Sequence, residues 1–414
     1  MRRGKFFALA VLVPVVMFLL CSIASAAPAK DKITIGWPIS LSGILASSVA
    51  ATTGPAYEIW LEEVNAKGGI YVKEYGKRLP VEIIKYDDKS DVGTMTKLME
   101  KAILEDKVDF VFAPWGTAML YAAAPVANKY KYILLGNAGG AIKLKEVMPK
   151  LPYVFSVLNM ADTQMPLLVQ ILSQVGVKKV AMIYIQDLHG IEYRDAFLKE
   201  TKKRKIDVVM SKSFPHGTQD LTPLLKEAKA ANVDAFVGML YPEEAFLATG
   251  QSIEIGFSPK VFFLTVGPML TQFRDAFGAA AVEGVMGGGA WNEKTSPGAN
   301  QLAEKLMKRY KGIEYWGQLF YYSSLQFFEK AIEEAGTLDQ AKIRDVMATR
   351  TFDTAMGPMK FDKLRFNMTH PGELGQWQHG AWEIINPGKK GAATPYTRSP
   401  YGQRRLIRAC KSVV

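Results

Sequence analysis

The apolar positions of this chain follow two periods in turn. Short β-rich stretches read as strands at residues 32–39, 81–86, 108–113 and 132–135. Between them apolar residues recur at helical spacing. Ala56, Ile59, Trp60 and Val64 fall on one face, and Met95, Leu98, Met99, Ala102 and Ile103 form an i, i+3, i+4, i+7, i+8 stripe that Ser90 or Asp91 can cap. A further helix is expected over 118–130. The alternation then begins again, with strands at 179–185, 207–211, 235–240 and 261–264. Helices are expected at 165–175, 193–204, 221–232 and 243–255. Continuous apolar runs fit strands covered on both faces, and strands alternating with helices of ten residues or more predict parallel βαβ units. Two such runs predict an α/β chain of two doubly wound lobes.

The last third breaks this rhythm. Residues 284–289 are glycine-rich; 297–311, 318–335 and 338–348 read as helices, and 356–362 and 375–385 as short strands. These pieces are too few for a third domain and are expected to finish the two lobes. The ends differ again. Arg2, Arg3 and Lys5 precede 15 apolar residues from Phe6 to Leu20, and Ala24-Ser25-Ala26 offers a small-x-small cleavage site. Residues 1–26 are therefore expected to be a cleaved signal peptide that directs the protein to the periplasm. Cleavage removes Cys21 and leaves Cys410 alone, which excludes an internal disulfide and a cysteine-based metal site. The net charge of +11 changes meaning once located. Residues 1–26 hold three positive charges and 387–414 hold seven, both without an acid, so the body carries only one. A nucleic-acid-binding face is not expected. The basic, Pro- and Gly-containing tail 387–414 is expected to be mostly disordered.

Catalytic motifs are missing: there is no nucleophile elbow, P-loop or H-E-x-x-H. The four histidines lack metal-ligand spacing. Asp87-Asp88 resembles a catalytic pair but is read as a turn at a strand end. No enzyme, cofactor or metal is expected. Open α/β sheets bind ligands beyond the carboxyl ends of their strands, which nominates four loops: Pro114-Trp115-Gly116-Thr117, Gly136 to Ala141, Gln186 to Gly190, and Tyr241 to Glu244. Small residues in the second loop let backbone N–H groups approach an anion.

Several segments, in this order, carry a resemblance. They are Ile35-Gly36 with Leu41-Ser42-Gly43, Glu62 through Ile70, Tyr86-Asp87-Asp88, Ala124 to Ala127, and Gly357 to Asp362. Together the chain resembles the leucine/isoleucine/valine-type solute-binding proteins of ABC importers, over about Ile33 to Pro387. The resemblance implies a type I periplasmic binding fold, with two lobes joined by a three-crossing hinge that closes over a solute. Lobe one would be 30–154 plus 285–356, and lobe two 155–284 plus 357–386. It implies a monomer that hands a small-molecule solute to membrane permease subunits, without catalysis; a ligand-sensing receptor of the same fold, or an exported α/β enzyme, are the alternatives. By position, Thr117 with Trp115, and the loop Ala138, Gly139 and Gly140, would hold a ligand carboxylate. His189 and Tyr241 would line lobe two, and Ser48 stands where an aromatic wall is usual. One departure bears on the ligand. The family's amino-acid binders place a carboxylate after the strand at 261–264, where this chain has Thr265-Val266-Gly267-Pro268. An aliphatic or aromatic carboxylate, or an amide, therefore fits at least as well as an α-amino acid.

Overall fold

The computed structural model describes residues 30–289, 291–369, 373–387, 389 and 391–398. The signal segment, both cysteines and His370 lie outside them. In lobe one, β1 (Ile33–Ile39) pairs in parallel with β2 (Val81–Asp87) on one side and β3 (Phe110–Val111) on the other. The strands β4 (Leu134–Gly136) and β5 (Val154–Ser156) form a second parallel pair. The helices α1 (Ala46–Ala51), α2 (Thr53–Ala66), α3 (Val92–Leu104) and α4 (Thr117–Lys129) are interleaved with these strands. Of the two candidate caps for α3, Asp91 is the one used, accepting from Thr94 N at 2.7 Å. The neighbouring carboxylates Asp87 and Asp88 organise the loop at 40–45. Asp87 accepts from the N–H groups of Leu41 and Ser42, and Asp88 from Ser40 Oγ at 2.6 Å.

Lobe two is one seven-stranded sheet. Its strands are β6 (Lys179–Ile185), β7 (Asp207–Phe214), β8 (Ala235–Met239), β9 (Val261–Leu264), β10 (Val285–Gly288), β11 (Leu374–Gln378) and β12 (Ala381–Ile385), in the spatial order β12-β11-β10-β9-β8-β6-β7. The first five run parallel and the final hairpin is antiparallel. Alternation along β6 shows the double covering. Val180 and Met182 pack with Leu168, Ile171 and Leu172 of α5 (Ala161–Gln174), together with Tyr193 and Phe197 of α6 (Leu188–Lys203). Ala181, Ile183 and Ile185 face the other way, into a core that includes Leu225 and Ala228 of α7 (Thr222–Ala230) and Ala245 and Ala248 of α8 (Pro242–Glu254). That second core runs on without a break into lobe one. Among the described residues no helix is long and apolar enough to cross a membrane.

The chain crosses between lobes three times: after β5 into α5, after β10 toward α9 (Pro297–Tyr310), and between residue 369 and β11. The expected lobe boundaries are corrected accordingly. Residues 285–288, assigned by sequence to lobe one, are an interior strand of lobe two. The sequence marks this stretch only as glycine-rich, and its glycines answer a packing demand. A Cβ on Gly287 would lie 3.1 Å from Pro268 Cβ and 3.3 Å from the Trp382 ring, and one on Gly375, its partner in β11, 2.1 Å from that ring. Residues 357–361, assigned to lobe two, belong to lobe one: Gly357–Met359 pairs with Phe352–Thr354, and Phe361 packs edge-on to Phe155 and Phe327. The tail is corrected in part. Ala393 N donates to Ile384 O at 2.8 Å, Gln376 Nε2 to Tyr396 O at 2.7 Å, and the Arg398 guanidinium lies over the Phe262 ring at 5.2 Å. Residues 391–398 thus run along the sheet of lobe two, because backbone and amide groups there offer partners that composition does not reveal. Residues 399–414 lie outside the described set.

Candidate solute-binding cleft

The four loops nominated by the strand-end rule converge. The short β3 delivers Pro114-Trp115-Gly116 to the start of α4, so Thr117 is that helix's first residue, with its side chain buried. The first-turn N–H groups of a helix have no partner within the helix and carry its positive dipole end. The loop after β4 lies against this terminus. Gly116 N donates to Ala138 O at 2.9 Å, and Asn137 anchors the loop by accepting from Tyr57 OH at 2.8 Å. A Cβ on Gly139 would stand 2.9 Å from Gly116 O, and one on Gly140 2.7 Å from Asn159 O. Only glycine lets these three backbone segments meet so closely.

Lobe two faces this surface with side chains. Tyr241 precedes α8, and its ring stacks on His189 at 4.8 Å and tilts against Trp115 of lobe one at 5.1 Å. Its hydroxyl is flanked by Asp187 and Thr117, and burial followed by the Asp187 charge holds its pKa well above the ordinary phenol value. His189 Nε2 is 3.1 Å from Thr265 Oγ1, which donates to Leu240 O at 2.8 Å. Burial pushes the His189 pKa down to about 3, so its ring is neutral at any working pH. His216, its ring tilted against the Tyr241 ring at 5.5 Å, bonds through Nδ1 to buried Glu244. Burial opposes its charge. The hydrogen bond and charge of Glu244, with Asp187 and Glu243 beyond, outweigh it and raise the His216 pKa.

The interlobe cavity these groups enclose is about 20 Å³, roughly one water's room. Trp115, Thr117, Ala138, Gly139, Gly140, His189 and Tyr241 all line it. Ser48 does not. It is buried on α1 at the cleft's edge, where it and Ser47 donate across the lobes to Glu243, the Ser48 bond measuring 2.7 Å. Sequence reasoning missed Leu158, Asn159, Tyr193, Val266, Trp316 and Tyr321, which also line the cavity. Trp316 Nε1 donates to Asn159 Oδ1 at 3.0 Å. Behind this wall a larger cavity of about 360 Å³ opens at the hinge, sharing Leu158 and Asn159 and edged by Lys145 and Phe366. It contains none of the predicted site residues. Among the described residues no group of three or more His, Cys, Asp or Glu side chains is placed to hold a metal ion.

Two doubly wound lobes, three crossings and a buried cleft at the strand ends define a type I periplasmic binding protein. The family model for periplasmic binding proteins matches residues 32–381, and the chain belongs to that family, one of binding proteins rather than enzymes. It is 26% identical over 385 residues to Leu/Ile/Val-binding protein homolog 7 of Brucella suis, an alignment covering 88% of this chain and 94% of that one. A leucine-binding protein from Thermotoga maritima superposes with TM-score 0.73 at 21% identity, covering 86% of this chain and 99% of the other. A solute-binding protein of an ABC transporter from Rhodopseudomonas palustris BisB5, solved with 3,4-dihydroxybenzoic acid, gives TM-score 0.74 at 18% identity, covering 89% and 97%.

Proposed function

We propose that this protein is the extracytoplasmic solute-binding subunit of an ABC importer, that it is exported through residues 1–26, and that it captures a small carboxylate in the interlobe cleft. The observation that carries the reading is the meeting of Thr117, the α4 N-terminus and the Ala138–Gly140 backbone on one cavity wall, opposite His189 and Tyr241. Hydroxyl and backbone N–H donors stabilise a carboxylate through charge-assisted bonds and need no buried counter-charge. Hinge closure around a ligand is the switching mode of such two-lobed proteins, and the closed form is what a permease would receive. Two of the similar proteins carry names that support a carboxylate, one a leucine-binding protein and one holding a dihydroxybenzoic acid. The test is mass spectrometry of solute co-purified with the exported protein, then calorimetry of that solute against wild type and Thr117→Ala. A carboxylate whose affinity falls at least tenfold in the variant supports the reading; equal affinities would remove Thr117 from the site.

A further inference from the structure

We infer that the solute held in this cleft is an aromatic carboxylate without an ammonium group. The inference rests on the reading above and concerns the end of the solute remote from its carboxylate. No acid lines the cavity; away from the Thr117 and Ala138–Gly140 wall, the six rings of Trp115, His189, Tyr193, Tyr241, Trp316 and Tyr321 dominate its lining, with Leu158 and Val266 the aliphatic side chains among them.

Each carboxylate nearby is engaged by the protein itself through at least one oxygen, Glu244 through Oε1 alone. Asp187 accepts from Gly190 N at 2.8 Å as the cap of α6. Glu192 accepts from the N–H groups of Ile142 and Lys143 at 2.7 and 2.9 Å. Glu243 holds Ser47 and Ser48, and Glu244 holds His216 and Gly217 N. Glu314 accepts from the N–H groups of Trp316, Gly317 and Gln318 at 2.7–2.9 Å. Turning any of them toward a ligand would break a cap, a loop anchor or a contact between lobes. The rings alone cannot replace them. A desolvated cation–π contact is worth about 2 kcal/mol, against an effective penalty of several kcal/mol for burying an ammonium. The rings of Trp115, His189 and Tyr241 suit a flat apolar body, which needs the lobes to part because the cavity between them is about 20 Å³.

Calorimetry on the wild-type protein with matched pairs tests this: 3-phenylpropionate against phenylalanine, and 4-methylpentanoate against leucine. Each acid is expected to bind at least ~100-fold more tightly than its amino partner, the factor that ~2.7 kcal/mol of uncompensated desolvation produces. The phenyl acid is expected to bind about tenfold more tightly than the branched aliphatic one. If an amino acid equals or exceeds its des-amino partner, the inference is wrong; loss of that preference in Asp187→Asn or Glu243→Gln would identify the carboxylate responsible, and carboxylate capture would stand. If 4-methylpentanoate matches 3-phenylpropionate, the aromatic half of the inference fails. If none of the four binds, or all bind Thr117→Ala as well as wild type, the carboxylate cleft itself is refuted, and the inference falls with it.

Discussion

The two faces of the cleft are built from different materials. The face on lobe one is backbone: a helix N-terminus, a glycine loop in contact with it, and the buried Thr117 hydroxyl. The face on lobe two is side chain: His189 and Tyr241 stacked together, with the His216–Glu244 pair behind them. Backbone geometry cannot be altered without moving strands, whereas rings and acids change by single substitutions. On the reading proposed above, the first face would set the chemistry common to all solutes, a carboxylate, and the second would set which carboxylate.

That division has consequences that can be ranked. Gly140→Ala should do the most damage, because its Cβ meets the backbone carbonyl of Asn159 at 2.7 Å. Such overpacking costs about 1–3 kcal/mol, so both the denaturation midpoint and solute binding should fall; an unchanged midpoint would show that the lobe-one face is less rigid than described. Thr117→Ala should leave the midpoint nearly unchanged but weaken binding by about 10–100-fold, the range expected when a hydrogen bond to a charged group is lost. Tyr241→Ala, on the opposite face, should instead reorder affinities among carboxylates. A uniform loss across a solute panel would contradict the division.

Smaller effects probe the contact between the faces. Glu243→Gln loosens the hold on Ser47 and Ser48 and should shift the open–closed equilibrium by about threefold or less, in line with ~0.5 kcal/mol for a hydrogen bond weakened rather than removed. Fluorescence transfer between labels on the two lobes would read it. The His216–Glu244 pair gives the mildest signal. Because the folded pKa of His216 is raised, its stabilisation is fully present below the unfolded value of about 6.5 and is lost as pH rises through the folded value. Thermal melts should show wild type gaining over His216→Gln between pH 8 and pH 6; an advantage that grows with rising pH would reverse the sign of the argument.

Much of this architecture can be read in the sequence where burial imposes a simple period. Lys179–Ile185, Val261–Leu264 and Gln318–Ala335 are observed with the bounds expected of them, since two-sided burial or a long helical stripe leaves little choice. The strand Val285–Gly288 escaped because its glycines serve the Trp382 ring, a partner distant in sequence. The site divided along the same line. The strand-end rule led to the loops that supply Trp115, Thr117, Ala138, Gly139, Gly140, His189 and Tyr241 to the cavity wall, whereas Ser48, proposed by resemblance, lies outside it. Asn159 and Trp316 come from the hinge crossing and from the loop before the helix Gln318–Ala335, segments far apart in sequence that only the fold brings together. Glu243 and Glu244 are adjacent in sequence yet opposite in role. Glu243 faces outward to lobe one and Glu244 inward to His216, a difference set by helix phase.

The central claim is that lobe one holds the solute by its carboxylate. A crystal structure of the protein with its co-purified solute tests this most directly. The account predicts carboxylate oxygens within hydrogen-bonding distance of Thr117 and the Gly139–Gly140 backbone, with the body of the solute against Trp115, His189 and Tyr241. A solute lodged in the hinge cavity beside Lys145 and Phe366, or one whose carboxylate points toward lobe two, would contradict it.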